Sequence, residues 1–555
     1  MKILGAPLGS CVHVAGVLNF LNLAEEVGYK TDFMGPANSI DAIIIQVKEL
    51  DPHVIALSYR LSPESVLPLL NKLKTKIESS AELRSKIWIF GGTSPVAKVA
   101  QKTGIFTKIF DGETTSDDAF DYLRGIETEK AKEEDFPQNL LERLAYQRPF
   151  PLLRAHFGLP SLEDTLEGVE QIAKARCIDI ISIGPDQNFQ ECFFRPEEMS
   201  DEEGAGGVPI RSREDLKELY TRSRTGNFPL LRCYSGTRDL LKIAQLLHET
   251  IHNTWSATPL MWYNELDGRS KRALEAAIFE NQENMRWHGQ MGIPLESNES
   301  HHWSLRDAPD SIAVAMAYLA AYNAKMMGVK TYIAQFMFNT PMLSSPRMDL
   351  AKMLAKVELI ESLHDNKFLS FRQVRTGLPS FPANPDMATG QLASSIQTAM
   401  HLKPGIVHIV SYCEADHAAT AQDIIKSSLI TKKVISNCLM GVPDISKDSV
   451  LLERKLELKN EATTLIKAII ALGSDMGSEN PLINPKVLTQ AVKVGLLDTP
   501  HFRGHKVAQG RIKTRMINGA CYSIDPNTRK PITEAERLSR MLKLPSLNGI
   551  VVPIK

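Results

Sequence analysis

The stretch GSCVHVAG, residues 9–16, decides how the N-terminal part of the chain folds. It follows an apolar run at 2–6 that predicts a β-strand, and it precedes a helical pattern that continues to Gly28. In an open α/β sheet the loop after the first strand lies at the carboxyl edge of the strands, where ligands bind. His13 is therefore predicted to project from that edge, where an imidazole is well suited to ligate a metal.

Residues 1–126 alternate short apolar runs with helical patterns, which predicts an α/β domain with a flavodoxin-like, doubly wound sheet of five parallel strands. Two further loops reach the same edge of this sheet, Ser58-Tyr59-Arg60 after the third strand and Gly91-Gly92-Thr93 after the fourth. Paired glycines in such a loop allow a ligand to approach the backbone closely. The four later strands are predicted at 31–34, 53–58, 86–90 and 107–110.

The second part of the chain predicts a (β/α)8 TIM barrel at 149–430, because eight strand-like runs are each followed by a helical stretch. A charged linker with one helix is predicted at 127–148, and a small helical and mixed α+β extension at 431–555. Active sites of such barrels lie at the carboxyl ends of the strands. The eight predicted strands are 152–155, 178–183, 229–234, 259–263, 293–297, 330–336, 368–374 and 406–411.

The composition argues against several classes of partner. The 555 residues carry 64 basic and 65 acidic side chains without a long basic run, so neither nucleic acid nor an anionic membrane is an expected partner. The sequence has no apolar stretch of about twenty residues, so no membrane span is predicted. The apolar run before Pro7 is too short for a signal peptide. The seven scattered cysteines form no CxxC pair, which predicts a reduced, cytoplasmic protein.

Three loops together give residues 1–126 a resemblance to the cobalamin-binding domain of B12-dependent mutases and methionine synthases. That family carries Asp-x-His-x-x-Gly, then a serine loop, then Gly-Gly. Here the positions read Cys11-Val12-His13-Val14-Ala15-Gly16, Ser58-Tyr59-Arg60 and Gly91-Gly92. The resemblance implies that His13 replaces the dimethylbenzimidazole base as the lower ligand of cobalt, and that the displaced base tail inserts between sheet and helix. It assigns these residues to the cofactor: Cys11, His13, Gly16, Ser58, Tyr59, Gly91 and Gly92.

Cys11 stands where the family has its aspartate. In the family that aspartate accepts a hydrogen bond from the far nitrogen of the histidine, and such partners fix the tautomer and basicity of a metal-ligating imidazole. A thiol is a weaker acceptor. The bond between cobalt and His13 is therefore predicted to be weaker or differently tuned.

Residues 152–542 resemble the barrel subunit of glutamate mutase (methylaspartate mutase). The resemblance is distant but long, and it lies in the order and spacing of fragments such as Ser235-Gly236-Thr237, Gly328-Val329-Lys330 and 495–500. It implies an adenosylcobalamin-dependent radical isomerase that acts on a small carboxylate-bearing molecule, with the cofactor between the two domains and a homodimer as the assembly. The pocket residues predicted on this basis are Arg154, Tyr234, Asn264, Glu299 and Glu414.

The predicted pocket departs from the glutamate mutase pattern. That family holds its dicarboxylate with three arginines, as charge pairing demands, whereas only Arg154 matches here; the second position falls near Phe189 and the third is Tyr234. A lysine that contacts the adenosyl ribose matches Val410, while its neighbouring carboxylate matches Glu414. The sequence thus predicts a pocket without the cation cluster for glutamate, and a substrate with a single carboxylate or with more apolar or aromatic character.

Two other functions stay open at this stage. A corrinoid-dependent methyltransferase is favoured by the loss of that lysine, but such proteins usually carry a four-helix cap before the cobalamin domain. A non-catalytic cobalamin carrier or sensor is disfavoured by a full barrel with polar loops. Binding that is specific for the adenosyl form would favour the isomerase, and indifference to the upper ligand would favour a carrier.

Two histidine motifs offer competing interpretations. His248-Glu249-Thr250-Ile251-His252 matches the zinc-protease pattern, but it lies on a helix that follows a barrel strand, with its end away from the catalytic face. His301-His302 lies in a loop at that face. This pair either positions substrate or a second metal, or belongs to a polar loop that packs Trp303.

Overall fold

The computed structural model describes residues 1–112, 116–125 and 132–542. The chain divides into two compact units, Met1–Lys132 and Glu133–Lys555. The predicted domain boundary at 126, the start of the predicted linker at 127–131 and the end of the predicted extension at 543–555 lie outside the described residues.

The first unit contains a five-stranded, fully parallel sheet in the order β2-β1-β3-β4-β5. The direction of the strand order reverses between β1 and β3, and in open α/β sheets ligands bind in the crevice beside such a reversal. The strands are β1 (Lys2–Pro7), β2 (Lys30–Phe33), β3 (Val54–Tyr59), β4 (Ile87–Gly92) and β5 (Lys108–Phe110). The helices are α1 (Ala15–Val27), α2 (Ile40–Leu50), α3 (Pro63–Glu78), α4 (Ala81–Arg84), α5 (Ser94–Thr103) and α6 (Ser116–Gly125).

Alternate residues of the central strands supply two separate apolar cores, because side chains along a strand point to opposite faces. Ile55 and Leu57 of β3 pack with α2, α3 and α5 on one face, whereas Val54 and Ala56 pack with α1 and α6 on the other. A Cβ added to Gly5 of β1 would lie 2.5 Å from a methyl of the α1 side chain Leu21, so the glycine lets α1 pack directly on the sheet.

The second unit contains eight parallel strands that form a nearly closed barrel, in the order β8-β7-β6-β13-β12-β11-β10-β9. Between the two end strands, the backbone N–H of Thr254 donates to the carbonyl of Leu231 at 3.0 Å and brings β8 beside β9. The strands are β6 (Leu152–Phe157), β7 (Ile180–Ile183), β8 (Leu230–Cys233), β9 (Ser256–Ala257), β10 (Leu295–Ser297), β11 (Thr331–Phe338), β12 (Leu369–Thr376) and β13 (Ile406–Ile409).

Helices surround this barrel and form most of the C-terminal extension. The predicted boundary at 430 falls inside a helix, and the longest helix of the extension packs on the two that flank β11. The helices are α7 (Leu140–Gln147), α8 (Leu162–Ala175), α9 (Gln187–Cys192), α10 (Arg213–Ser223), α11 (Leu240–Ile251), α12 (Leu274–Met291), α13 (Glu299–Ser304), α14 (Asp310–Met326), α15 (Pro346–Glu361), α16 (Pro385–Ala399), α17 (Ala421–Met440), α18 (Ser449–Asp475), α19 (Pro485–Val494) and α20 (Glu534–Leu542). A hairpin of β14 (Thr514–Ile517) and β15 (Ala520–Ser523) precedes α20.

One barrel strand was predicted at the wrong place. The predicted run 259–263 is a loop, and the strand lies just before it as β9. Pro259 has no N–H to donate to a ladder. The N–H groups of Leu260 and Met261 donate to the carboxylate of Glu299, at 2.7 and 2.9 Å, instead of to a neighbouring strand.

The helix predicted in the linker, α7, packs across the amino-terminal end of the barrel. Its Leu140 and Leu144 join a buried cluster with the first residues of four barrel strands. The guanidinium of Arg143, only 1% exposed, donates to the carbonyls of Asn227 and Phe228 at 3.2 and 2.8 Å. The described part of the predicted linker from residue 133 onward therefore belongs to the second unit and covers the amino-terminal end of the barrel.

Within the described residues, no helix combines the length and apolar character that crossing a membrane requires.

Candidate functional site

A cavity of about 340 Å³ opens at the carboxyl edge of the first unit's sheet, between the sheet and α1. It begins at the loop after β1 and extends along β3 and β4 to the end of β5. The lining residues are His13, Gly16, Val17, Asn19, Phe20, Leu23, Ala56, Leu57, Ser58, Arg60, Ile89, Gly91, Gly92, Thr93, Phe110, Asp111, Gly112 and Ala119.

Small residues at the ends of β3 and β4 create this space. Ser58 and Gly91 are register partners. A Cβ added to Gly91 would meet only the Leu57 carbonyl, at 3.9 Å, whereas one added to Gly92 would lie 2.9 Å from the Tyr59 carbonyl. Ser58 is 6% exposed, and its buried hydroxyl has no hydrogen-bond partner among the described residues. The cavity therefore holds a buried donor that a ligand can satisfy, beside a backbone that leaves room for the ligand.

His13 is exposed at the mouth of the cavity, while Cys11 beneath it is fully buried. Backbone hydrogen bonds from Cys11 N to Leu8 O, at 3.0 Å, and from Ala37 N to Cys11 O, at 3.1 Å, fix the loop. The Cys11 sulfur lies 3.8 Å from Nδ1 of His13. A metal bound through Nε2 requires the proton on Nδ1, which then faces this weak acceptor.

Five of the seven predicted cofactor residues line the cavity and two do not. Cys11 lies in the core on the opposite face, and so does Tyr59, whose hydroxyl donates to Ser65 at 2.7 Å. Tyr59 lies on that face because it follows Ser58 directly in the same strand, and the alternation turns it away. Asn19 and Asp111 line the cavity and were not singled out from the sequence.

The interior of the barrel holds an ion cluster. Arg154 donates to Glu296 at 3.1 Å and to Gln373 at 2.8 Å, and Arg232 lies 3.4 Å from the same Glu296 carboxylate. The indole N–H of Trp255 donates to this carboxylate at 2.7 Å. Burial raises the pKa of Glu296, but the two arginines outweigh it and lower the pKa overall. Burial and Arg232 lower the pKa of Arg154 to about 9, so Arg154 stays cationic near neutral pH.

Two imidazoles lie beside this cluster. The rings of His156 and His408 are 4.7 Å apart, and His156 Nε2 is 3.0 Å from the hydroxyl of Tyr234 and 3.1 Å from Arg154. Burial, then Arg154, lowers the pKa of both histidines well below the ordinary value. Both rings are therefore neutral, and the buried cluster of two arginines and one glutamate carries a net positive charge.

A second cavity of about 690 Å³ opens at the carboxyl ends of the barrel strands. Arg375 and Arg269 supply its cations, and Tyr234 and Tyr263 supply aromatic walls. Within the described part of the chain Arg375 forms no salt bridge, and its Nε donates only to the backbone of Thr376, at 3.3 Å. This guanidinium is thus available to an anion. The other lining residues are Gln187, Gln190, Ala205, Gly206, Thr237, Asn298, His301, His302, Leu305, Met337, Leu378 and Pro379.

His301 and His302 also line this cavity, with their rings 4.6 Å apart. Nδ1 of His301 is 2.8 Å from the amide nitrogen of Gln335, and Nε2 of His302 is buried without a partner among the described residues. Burial, above all, lowers the pKa of both well below the ordinary value. The pair offers neutral imidazoles to whatever occupies the cavity.

Of the predicted pocket residues, Tyr234 lines the barrel cavity and the other four do not. Glu299 accepts hydrogen bonds from two backbone N–H groups and from the indole of Trp303, at 2.8 Å. Burial raises its pKa to about 7. Asn264 bonds to the backbone of its own loop, Glu414 accepts from Ser411 N at 2.6 Å, and Arg154 lies in the ion cluster. Glu299 and Asn264 hold the loop after β9 together.

The sequence predicts a pocket without the cation cluster for glutamate, and the structure places two arginines in this cavity that the sequence analysis did not name. Arg269 and Arg375 line the cavity, and Arg154 and Arg232 lie in the barrel interior. Three of the four were missed, and the sequence carries a signal for one of them. Arg232 is the one charged residue of β8, an otherwise apolar strand, where a buried charge needs a specific partner.

The zinc-protease pattern does not form a metal site. Glu249 pairs with Arg213, and the His252 ring packs against Tyr220, with centroids 5.0 Å apart. Within the described residues, His248 and His252 belong to no group of three side chains able to hold a metal ion.

Comparisons with known proteins give no family assignment. No family model matches the chain, and no curated protein matches it. A cobalamin-binding protein from Desulfitobacterium hafniense is 22% identical over 22% of this chain, with a TM-score of 0.20, and this chain covers 57% of its length. A rubisco-like protein, MtnW, from Alicyclobacillus acidocaldarius is 13% identical over 59% of this chain and 75% of its own, with a TM-score of 0.31. The cobalamin-dependent S-adenosylmethionine radical enzyme OxsB is 12% identical over 88% of this chain and 70% of its own, with a TM-score of 0.17. Scores this low carry no functional argument, so function is argued from the two cavities.

Proposed function

We propose that the first unit binds cobalamin with His13 as the lower cobalt ligand, and that the chain is an adenosylcobalamin-dependent isomerase of the glutamate mutase type. The observation that carries the proposal is the cavity between sheet and α1, which begins at an exposed imidazole and continues inward past Ser58 and Gly91. A protein that bound only a small ligand at His13 would not need a cavity that extends inward behind this residue.

The cavity suits the nucleotide tail of a cobalamin whose base has left the cobalt. Phe20, Leu23, Ile89 and Phe110 supply apolar walls for a flat benzimidazole. The unpartnered hydroxyl of Ser58 supplies a buried hydrogen bond for a polar atom of the tail. When bound, adenosylcobalamin supplies a carbon radical from its cobalt–carbon bond, which is chemistry that protein side chains do not provide.

The barrel cavity suits a small substrate with at least one carboxylate. Arg375 lines this cavity without a salt bridge to another described residue, and guanidinium groups bind carboxylates through paired hydrogen bonds. Arg154 and Arg232 do not take this role in the proposal, because Glu296 already holds them. His301 and His302 stay neutral and can hydrogen-bond to a polar substrate group.

The cofactor half of the proposal is tested by electron paramagnetic resonance of cob(II)alamin on the full-length protein. Protein labelled uniformly with ¹⁵N is reconstituted anaerobically with unlabelled cofactor and compared with His13→Ala and with a control, His53→Ala, at an exposed position at the other end of β3. A doublet hyperfine pattern from ¹⁵N in wild type and control, lost in His13→Ala, supports ligation by His13. A triplet from the cofactor's own ¹⁴N base in all three refutes it.

The isomerase half is tested by ligand binding and turnover. Short-chain carboxylates are titrated calorimetrically into protein loaded with adenosylcobalamin, and into Arg375→Met and Arg222→Met; Arg222 pairs with Glu170 and Glu218 on the helical surface. Binding that is lost only in Arg375→Met, together with substrate-induced radical signals, supports the proposal. Equal affinity for adenosyl- and methylcobalamin without radical formation favours the carrier, and methyl transfer favours the methyltransferase.

A further inference from the structure

A compact set of metal-ligating side chains lies on the loop after β13, apart from both cavities. Cys413 and His417 belong to this loop, and Asp423 lies in the first turn of α17. The ligand atoms of the three residues all lie within 4.8 Å of one another. The sequence alone did not suggest this set, because its spacing matches none of the common zinc motifs.

The local fold brings the three side chains together. The backbone N–H groups of Asp416 and His417 both donate to the carbonyl of Cys413, at 2.8 and 2.9 Å, and this turn places His417 beside the buried cysteine. Asp423 is fixed as part of the helix cap. Its carboxylate accepts from the hydroxyl of Thr420 at 2.6 Å and from Tyr412 at 2.8 Å.

We propose that Cys413, His417 and Asp423 bind a divalent metal ion of the zinc class. Thiolate, imidazole and carboxylate are the ligand types that zinc takes in proteins, and bonds of about 2.1 Å in a tetrahedral site place neighbouring ligand atoms about 3.4 Å apart. The distance from His417 Nε2 to the nearer Asp423 oxygen is 3.7 Å. His417 is exposed, so its ring can turn toward the other two ligand atoms.

Asp416 supplies the outer partner that a metal-bound histidine requires. Its carboxylate lies 2.9 Å from His417 Nδ1, which fixes the proton on Nδ1 and leaves Nε2 free for the metal. This aspartate–histidine arrangement is the one that His13 lacks in the first unit, where Cys11 occupies the equivalent place.

Charge balance favours a cation here in spite of the helix terminus. The N-terminus of α17 carries a partial positive charge of about half an elementary charge, which the full negative charges of Asp423 and Asp416 outweigh. The Cys413 thiol would lose its proton on binding the metal. Three protein ligands leave one position of a tetrahedral ion open to water or another group. Bound metal would pin the loop that carries Glu414 to the first turn of α17.

The experiment uses the full-length protein, stripped of metal and free of cobalamin, so that its result does not depend on the cofactor proposal. Co²⁺ serves as the spectroscopic probe, and Zn²⁺ affinity is measured in competition with a chromophoric chelator. The test variants are His417→Ala, at an exposed position, and Cys413→Ser. The controls, Cys438→Ser and His401→Ala, change the same residue types outside the set.

We expect wild type and both controls to bind one Co²⁺ per chain with a thiolate-to-cobalt charge-transfer band in the near ultraviolet. Cys413→Ser should lose the band, and His417→Ala should bind Zn²⁺ at least 100-fold more weakly. Asp416→Asn should weaken binding about 10–100-fold, as loss of an outer hydrogen-bond partner does. Absence of the band in wild type, or Zn²⁺ affinity unchanged in His417→Ala, would show that His417 is merely ion-paired with Asp416 and Asp423 and would overturn the proposal.

Discussion

The adjacent glycines at the end of β4 should respond in opposite ways to the same substitution. Gly91→Leu points its new side chain into the cavity, because a Cβ there meets only one atom, at 3.9 Å. Gly92→Leu forces its Cβ to 2.9 Å from the Tyr59 carbonyl and close to Phe90 and Val96. One variant should therefore lose the cofactor and keep the fold, and the other should lose stability.

The sizes of the two effects follow from the geometry. Four added carbon atoms at the packing density of protein interiors occupy on the order of 100 Å³, roughly a third of the 340 Å³ cavity. The nucleotide tail then no longer enters, and we expect at least 100-fold weaker cobalamin binding in Gly91→Leu, with an unchanged midpoint of thermal unfolding. Gly92→Leu overpacks against backbone, which costs roughly 1–3 kcal/mol.

The assay compares cobalamin with cobinamide, which lacks the nucleotide tail. Gly91→Leu should bind cobinamide nearly as well as wild type does, because His13 is untouched, and so its preference for cobalamin should disappear. Thermal unfolding without cofactor separates the two variants. The reasoning fails if Gly91→Leu binds cobalamin with wild-type affinity and its base displaced, or if both glycine variants are destabilised equally.

Three further predictions concern other parts of the molecule. Cys11→Asp should strengthen the cobalt–His13 bond and so tighten cobalamin binding about tenfold or more. Some loss of stability should accompany this change because the site is buried, and weaker ligation would contradict the prediction. Glu296→Gln should destabilise the protein by about 3–5 kcal/mol in denaturant unfolding, because it leaves two buried arginines without a counter-ion; an unchanged midpoint would argue against the ion cluster. Burial lowers the pKa of His288 from 6.5 to about 4, so between these two pH values the unfolded chain binds a proton at this residue and the folded chain does not. The free energy of unfolding should then fall by about 3 kcal/mol as the pH drops from 6.5 to 4, and His288→Asn should flatten that part of the pH profile.

Strands were predictable where burial on both faces makes them continuously apolar. The five runs of the first unit and seven of the eight in the barrel coincide with observed strands to within a few residues. The run at 259–263 was misleading because its apolar side chains belong to a loop. The N–H groups of this loop donate to the buried carboxylate of Glu299, at the start of α13. A local sequence pattern cannot reveal this partner, because Glu299 lies 38 residues or more along the chain.

The cavity beside α1 was largely predictable and the barrel cavity was not. His13 lies in the loop after β1, and Ser58 and Gly91 lie at the carboxyl ends of β3 and β4, so their place at the sheet edge follows from strand order alone. In the barrel, polar residues after strands were selected, but Glu299 and Asn264 turned out to hold loops together. Arg154, Arg232 and Arg375 lie inside strands, whereas Arg269 lies between β9 and α12. Which of these cations faces an open cavity depends on pairings such as that of Arg154 with Glu296, across 142 residues of sequence.

The helix beneath the barrel determines where this chain can be divided. A fragment that begins at 149 would omit α7, uncover the apolar ends of the strands beneath it and sacrifice the burial of Leu140 and Leu144, which is roughly 3–6 kcal/mol for two leucines. We expect such a fragment to expose this apolar surface and aggregate, whereas a fragment that begins at Glu133 keeps α7 over it. Any effort to prepare the halves separately, or to exchange one half for that of a relative, should therefore place the junction ahead of residue 133.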